Sequence, residues 1–205
     1  MQKLLMAVLA LLLMGGCSSE TAKPASEKPQ PKPTQFETGR VAFQKLYIAA
    51  RGWAQDAQAF RLESQLTTDS KGKDGKADVW RASFASPAQS SVKPYVWSGT
   101  DAADAPARGI APGTEDSYSP NNSSTQIFDI AFLKVDSDQA LATAQKHGGD
   151  KILETTPDSP ILYMLEWSRA TNGLVWHVIY GTSRDDAKLT VAVNATTGDF
   201  MRVEK

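Results

Sequence analysis

Residues 173–195, GLVWHVIYGTSRDDAKLTVAVNA, decide the fold. Apolar side chains alternate through VWHVIY, a polar Gly-Thr-Ser-Arg-Asp-Asp turn follows, and alternation resumes in LTVAVNA. That is the pattern of two antiparallel strands joined by a hairpin, because side chains on a strand point to opposite faces with period two. Residues 77–99, ADVWRASFASPAQSSVKPYVWSG, carry the same design. Val79-Trp80 answers Val175-Trp176, and Phe84 and Tyr180 stand equally far beyond. A match of this kind within one chain points to a tandem duplication.

Working outward, each copy is preceded by a further strand and a helix. In the first, Leu46, Ala50, Trp53, Ala54 and Ala57 recur at helical spacing. Thr34-x-x-Glu37 has the form of a capping box, so the periodicity predicts a helix over about 36–57. The strand-like runs AFRLESQLTT and ADVWRASFAS then flank the turn-rich DSKGKDGK. In the second, IFDIAFLKV (127–135) reads as a strand. Asp136 with Gln139 reads as a helix start, Gly148-Gly149 as its stop, and PILYMLEWSRA as the next strand. Between the copies lies a long piece rich in Pro, Gly, Ser, Asn and Asp, expected to be an irregular linker. The expectation is therefore an α+β chain of two similar units, each a helix packed on an antiparallel meander. The units would span 36–100 and 127–205, with the linker at 101–126.

The second copy resembles a PepSY-type domain over about 138–203. The residues that carry the resemblance are Trp176, Val178, Tyr180, Val191, Val193, Ala195, Thr197 and Gly198; Asn194 stands where the family usually has Asp. The resemblance implies a module that binds or inhibits, in some cases a peptidase, and does not catalyse. Independently of any family, Asn194 and Thr197 can bond nearby backbone and Gly198 can take a left-handed conformation, so this turn is structural.

The N-terminus tells a separate story. Lys3 precedes an apolar run over 4–14, too short to span a bilayer at ~20 residues, and Met14-Gly15-Gly16-Cys17 follows. This resembles a bacterial lipoprotein signal. The resemblance implies cleavage after residue 16 and a diacylglycerol thioether on Cys17, the chain's one cysteine. Residues 17–35 then form a tether, in which Pro24, Pro29, Pro31 and Pro33 favour extended backbone and little can be buried. Ser18 after the cysteine is compatible with an outer-membrane anchor facing the periplasm, should the cell have two membranes.

Lys and Arg number 22 against 23 Asp and Glu, a formal net charge of −1, which disfavours nucleic acid as a partner. No nucleophile elbow, zinc motif, phosphate loop or dinucleotide fingerprint occurs, so no catalytic residue, metal ligand or cofactor is expected. In DSKGKDGKAD, Lys71 and Lys73 occupy the places where a calcium loop needs oxygen ligands. His147, at a helix end, and His177, on a strand, are expected to be structural. The candidate partner-binding residues are the aromatics Tyr163 and Trp167, which share one strand face, and Trp176 and Tyr180, which share another. They would form a core or a peptide groove. Residues 199–203 or 127–135 would supply a free sheet edge. The expected function is a membrane-anchored, non-catalytic envelope protein that binds a protein or peptide; the alternative is an assembly scaffold. Oligomeric state is left open.

Overall fold

A computed structural model describes residues 32–205; the expected signal segment, Cys17 and the tether up to residue 31 lie outside the described residues. In chain order the elements are β1 (Glu37–Thr38), α1 (Gly39–Trp53), β2 (Gln58–Ser64), β3 (Lys76–Ala77), β4 (Val79–Ser86), β5 (Ser91–Ser98), β6 (Gly109–Pro112) and β7 (Asp116–Ser117). Then come α2 (Ser137–Ala144), α3 (Asp150–Thr155), β8 (Ile161–Ser168), β9 (Gly173–Tyr180), β10 (Leu189–Asn194) and β11 (Phe200–Val203).

The fold is α+β, built on one antiparallel sheet in the order β11-β10-β9-β8-β2-β4-β5-β6, with β7 also pairing with β5. Strands β1 and β3 form a small separate ribbon. The two meanders meet where β2 pairs with β8, through Arg61↔Glu166, Leu62↔Leu165 and Glu63↔Met164. Residues 36–100 and 127–205 are therefore halves of one sheet, and Lys32–Lys205 forms a single compact unit.

The alternation seen in the sequence sorts the faces. Trp80, Ala82 and Phe84 of β4, Ile161, Tyr163 and Leu165 of β8, and Trp176, Val178 and Tyr180 of β9 all enter one core. Helix α1 adds Ala42, Phe43, Leu46 and Ala50, and α2 adds Ala140, Leu141 and Ala144. Each large side chain buried there contributes about 1.5–3 kcal/mol relative to exposure. The other face of the sheet carries the alternate residues, among them Arg81, Ser83, Glu166, Val175 and His177.

The two halves are locked at their helix starts. Trp80 Nε1 donates to the Glu37 carbonyl at 2.9 Å, and Trp176 Nε1 donates to the Val135 carbonyl at the same distance. Each carbonyl lies two residues before a helix. Asp136 caps α2 in a capping box with Gln139, as expected. The same carboxylate accepts from Arg40 N at 2.8 Å and from the Thr38 hydroxyl at 2.7 Å, while Ser137 Oγ accepts from Gly39 N at 2.7 Å. One acid thus serves the positive N-terminal ends of two helices.

Four expectations need correction. Helix α1 starts at Gly39 without a Thr34–Glu37 box, because Asp136 and Ser137 satisfy its first amides while Glu37 pairs with Lys45 at 2.7 Å. Residues 127–135 are not a strand. Asp129 accepts from Ala131 N and starts a tight 3₁₀ turn over Ile130–Phe132, and Phe128, Leu133 and Val135 face inward. The segment 101–126 is not wholly irregular, since it contributes β6 and β7 to the sheet. Gly148-Gly149 does not end the helical region. The chain kinks there, with Gly148 at φ +114°, and α3 follows directly.

Candidate binding surfaces

The four aromatic candidates do not form a groove. Tyr163, Trp176 and Tyr180 are fully buried under the helices. The Tyr163 hydroxyl donates to the Gly72 carbonyl, and burial pushes the Tyr163 and Tyr180 phenols up. All three carry large apolar surface that only the core can absorb. Trp167, at the end of β8, is half-buried and meets Phe132 edge-on at 5.3 Å.

On the helix-free face, strand register gathers a charged cluster that residue spacing alone does not reveal. His177 is buried, with Nδ1 2.7 Å from Glu204 Oε2 and Nε2 3.6 Å from Glu166 Oε1. Arg184 reaches both carboxylates, at 3.2 and 3.5 Å; Arg61 holds Glu166 at 2.8 Å and Arg202 holds Glu204 at 2.6 Å. The hydrogen bond with His177, aided by the two nearby arginines, pulls the Glu204 carboxyl down to about 2 against the cost of its burial. An ionised carboxylate only accepts, so Nδ1 carries the proton in this pair. The acids sit at opposite ring nitrogens and do not converge on a common point. Among the described residues no group of three His, Cys, Asp or Glu side chains could hold a metal ion. The cluster pins the C-terminal residues after β11 to the sheet.

Strand β11 ends the sheet. Glu204 N donates inward to Thr190 O at 2.8 Å, so the preceding Val203 N–H points outward by strand alternation. Phe200 and Val203 are 37% and 48% exposed. The His147 ring stacks on Phe200 at 3.8 Å with 7° between planes, so the helical kink supports the edge from the side. The Asn194 turn that launches β11 is as expected: Asn194 Oδ1 accepts from Thr196 N and Thr197 N, and Gly198 sits at φ +83°.

A third feature lies between α1 and residues 128–133. Two adjoining hollows of about 140 and 250 Å³ share Tyr47 and Ile130. Phe43 and Leu133 line one; Gln58 and Asp129 line the other. No helix among the described residues is long and apolar enough to cross a membrane.

No protein-family model matches the chain, and no curated protein matches it. Among solved structures, a candidate lipoprotein from Clostridium difficile 630 is similar, with a TM-score of 0.53 and 10% identity over 80% of this chain and 91% of that one. At that identity the likeness is one of fold: this α+β sheet is shared with a candidate lipoprotein.

Proposed function

We propose that the chain is a lipid-anchored protein of the bacterial envelope that binds an extended segment of another envelope protein without chemistry. The observation that carries this reading is the free edge at β11, where an outward Val203 amide lies between exposed Phe200 and Val203 side chains. An added strand would take backbone bonds from this edge and seat its side chains beside the Phe200–His147 stack. The anchor would be Cys17, by the lipoprotein-like signal, with the outer membrane as its place in a cell that has two. The neighbour's description as a candidate lipoprotein supports the same assignment.

The reading includes the two halves as tandem PepSY-like copies, with modulation of a peptidase as the activity the resemblance suggests. Its support is the paired Trp bonds to carbonyls two residues ahead of α1 and α2, and the shared helix-then-meander order.

The test is partner capture from envelope extract by the full chain and by Val203→Pro. The substitution removes one outward amide from an exposed position and leaves the core intact, so capture should fall with thermal stability nearly unchanged. Capture equal to the parent's would sink the edge reading. Peptide or ester turnover by the purified protein that is lost on changing His177 would overturn the non-catalytic part.

A further inference from the structure

We propose that the outer face of α1 lies against an anionic lipid surface and sets how the domain sits on its membrane. This rests on the reading of Cys17 as the anchor. The first observation is where the tether joins the body. Arg108 donates to the Lys32 and Pro33 carbonyls at 3.1 and 3.2 Å, and is itself held by Asp101 at 2.9 Å. Gln35 N donates to Gly99 O at 2.9 Å, and the Thr34 hydroxyl to Asp69 at 3.1 Å. The exit point is therefore fixed on the body, and α1 begins at Gly39, a few residues later. Residues 18–31 span at most ~50 Å even when fully extended, so the face near the exit point is within reach of the bilayer.

The second observation is the face itself. Ile48 is 72% exposed and Val41 also stands out from the surface. They are seven residues apart, two helical turns, and so point the same way. Gln44, Arg51 and Gly52 are exposed around them, and a side chain at Gly52 would meet nothing. The helix contains Arg40, Lys45 and Arg51 and no acid. Three acids meet its ends: Asp136 accepts from Arg40 N at 2.8 Å, Glu37 holds Lys45 at 2.7 Å, and Asp56 lies near Arg51, while the Arg40 guanidinium donates to the Lys134 carbonyl at 3.0 Å. The crest of Ile48 and Val41 thus has the exposed Arg51 beside it on a helix that carries no acid, so apolar insertion and a cation can act together on an anionic interface. A tethered domain needs little intrinsic affinity for such a surface, because the anchor supplies the local concentration.

The experiment uses residues 17–205 with Cys17→Ser, which keeps the whole compact unit and removes the lipid. It is sedimented with vesicles of phosphatidylcholine, or of phosphatidylcholine and phosphatidylglycerol mixed three to one. The parent should partition onto the anionic vesicles at low salt. Ile48→Glu should reduce that partition about tenfold, since one apolar anchor is lost and a like charge gained. Thr155→Glu, which adds the same charge at an exposed position on α3, should leave it unchanged. The inference is overturned if the parent does not partition, if Ile48→Glu partitions equally, or if Thr155→Glu loses as much. Acyl mass on the peptide beginning at Cys17 of the native protein tests the anchor separately. Its absence sinks the anchor reading and leaves the vesicle result standing.

Discussion

Replacing Asp136 with Ala tests how the two halves are joined. An ordinary N-cap lost to Ala costs about 1 kcal/mol. Asp136 does more than cap α2, because its carboxylate also accepts from Arg40 N and the Thr38 hydroxyl at the start of α1. Hydrogen bonds to a charged group are worth about 1.5–3 kcal/mol each, but Thr38 is only half-buried and can turn to water. The expected total is therefore about 3 kcal/mol, which in a domain of this size lowers Tm by roughly 6–12 °C. Denaturant melts of Asp136→Ala and Asn122→Ala provide the comparison. Asn122 caps only an exposed 3₁₀ turn through Ser124 N, so its loss should cost about 1 kcal/mol or less. Adding Thr38→Ala to Asp136→Ala should cost little more, since the two side chains share one bond. If Asp136→Ala costs no more than Asn122→Ala, the carboxylate does not join the halves and the reasoning fails.

Gly39→Ala should destabilise by about 1–2 kcal/mol, because the new methyl would sit 2.6 Å from Trp176 Cη2 and 3.2 Å from Trp80 Cη2. Gly52→Ala, in open space on the same helix, should stabilise by about 0.5–1 kcal/mol, and thermal melts showing the same sign for both would contradict this packing. Glu204 has its carboxyl lowered from 4.5 to about 2 in the fold, so its contribution is present above pH 4.5 and lost as pH falls toward 2. Discounted for the half-exposed Arg184 beside it, this is roughly 2 kcal/mol. Glu204→Gln should therefore be less stable than the parent at pH 7 and equal to it near pH 2, and a constant difference across that range would exclude the linkage.

Strand alternation and the signals around α2 and β11 carried much of the local structure, whereas the Thr34–Glu37 box and the Gly148-Gly149 stop did not. Alternation located β4, β5, β8, β9 and β10 to within a residue or two, the Asp136–Gln139 box started α2, and the Asn194–Gly198 turn launched β11. What depends on distant parts of the chain was not legible. No short-range pattern announces that β2 pairs with β8, yet that pairing turns two meanders into one sheet. The same pairing brings Arg61 to Glu166, and so creates a charged cluster from residues 105 positions apart. Residues 127–135 have the apolar content of a strand, but Asp129 turns them, their amides at Phe128 and Val135 donate to the Ala59 and Ala195 carbonyls, and Phe128, Leu133 and Val135 are buried. The register of β8 against β9 puts Tyr163, Trp167, Trp176 and Tyr180 on one sheet face, and only the helices' position decides that this face is core.

Joining the meanders at β2 and β8 also determines which edges remain. Both inner edges are consumed, leaving β6 with β7 at one end and β11 at the other. The first end is poorly suited to an added strand: β6 is four residues long, contains Pro112, which has no amide to donate, and gives way to the separate two-residue β7. At the other end, β11 is also short, and a register shift opposite Ala192 and Val193 leaves Met201 as an extra residue. A bulge of this kind discourages indiscriminate pairing with any passing strand. An edge so limited offers only one or two backbone bonds near Val203. Affinity for a partner must then come mainly from side chains seated against Phe200, Val203 and the His147 ring, and from tethering at the membrane. Selectivity would reside in those anchors, so Phe200→Ser should weaken capture at least as much as Val203→Pro.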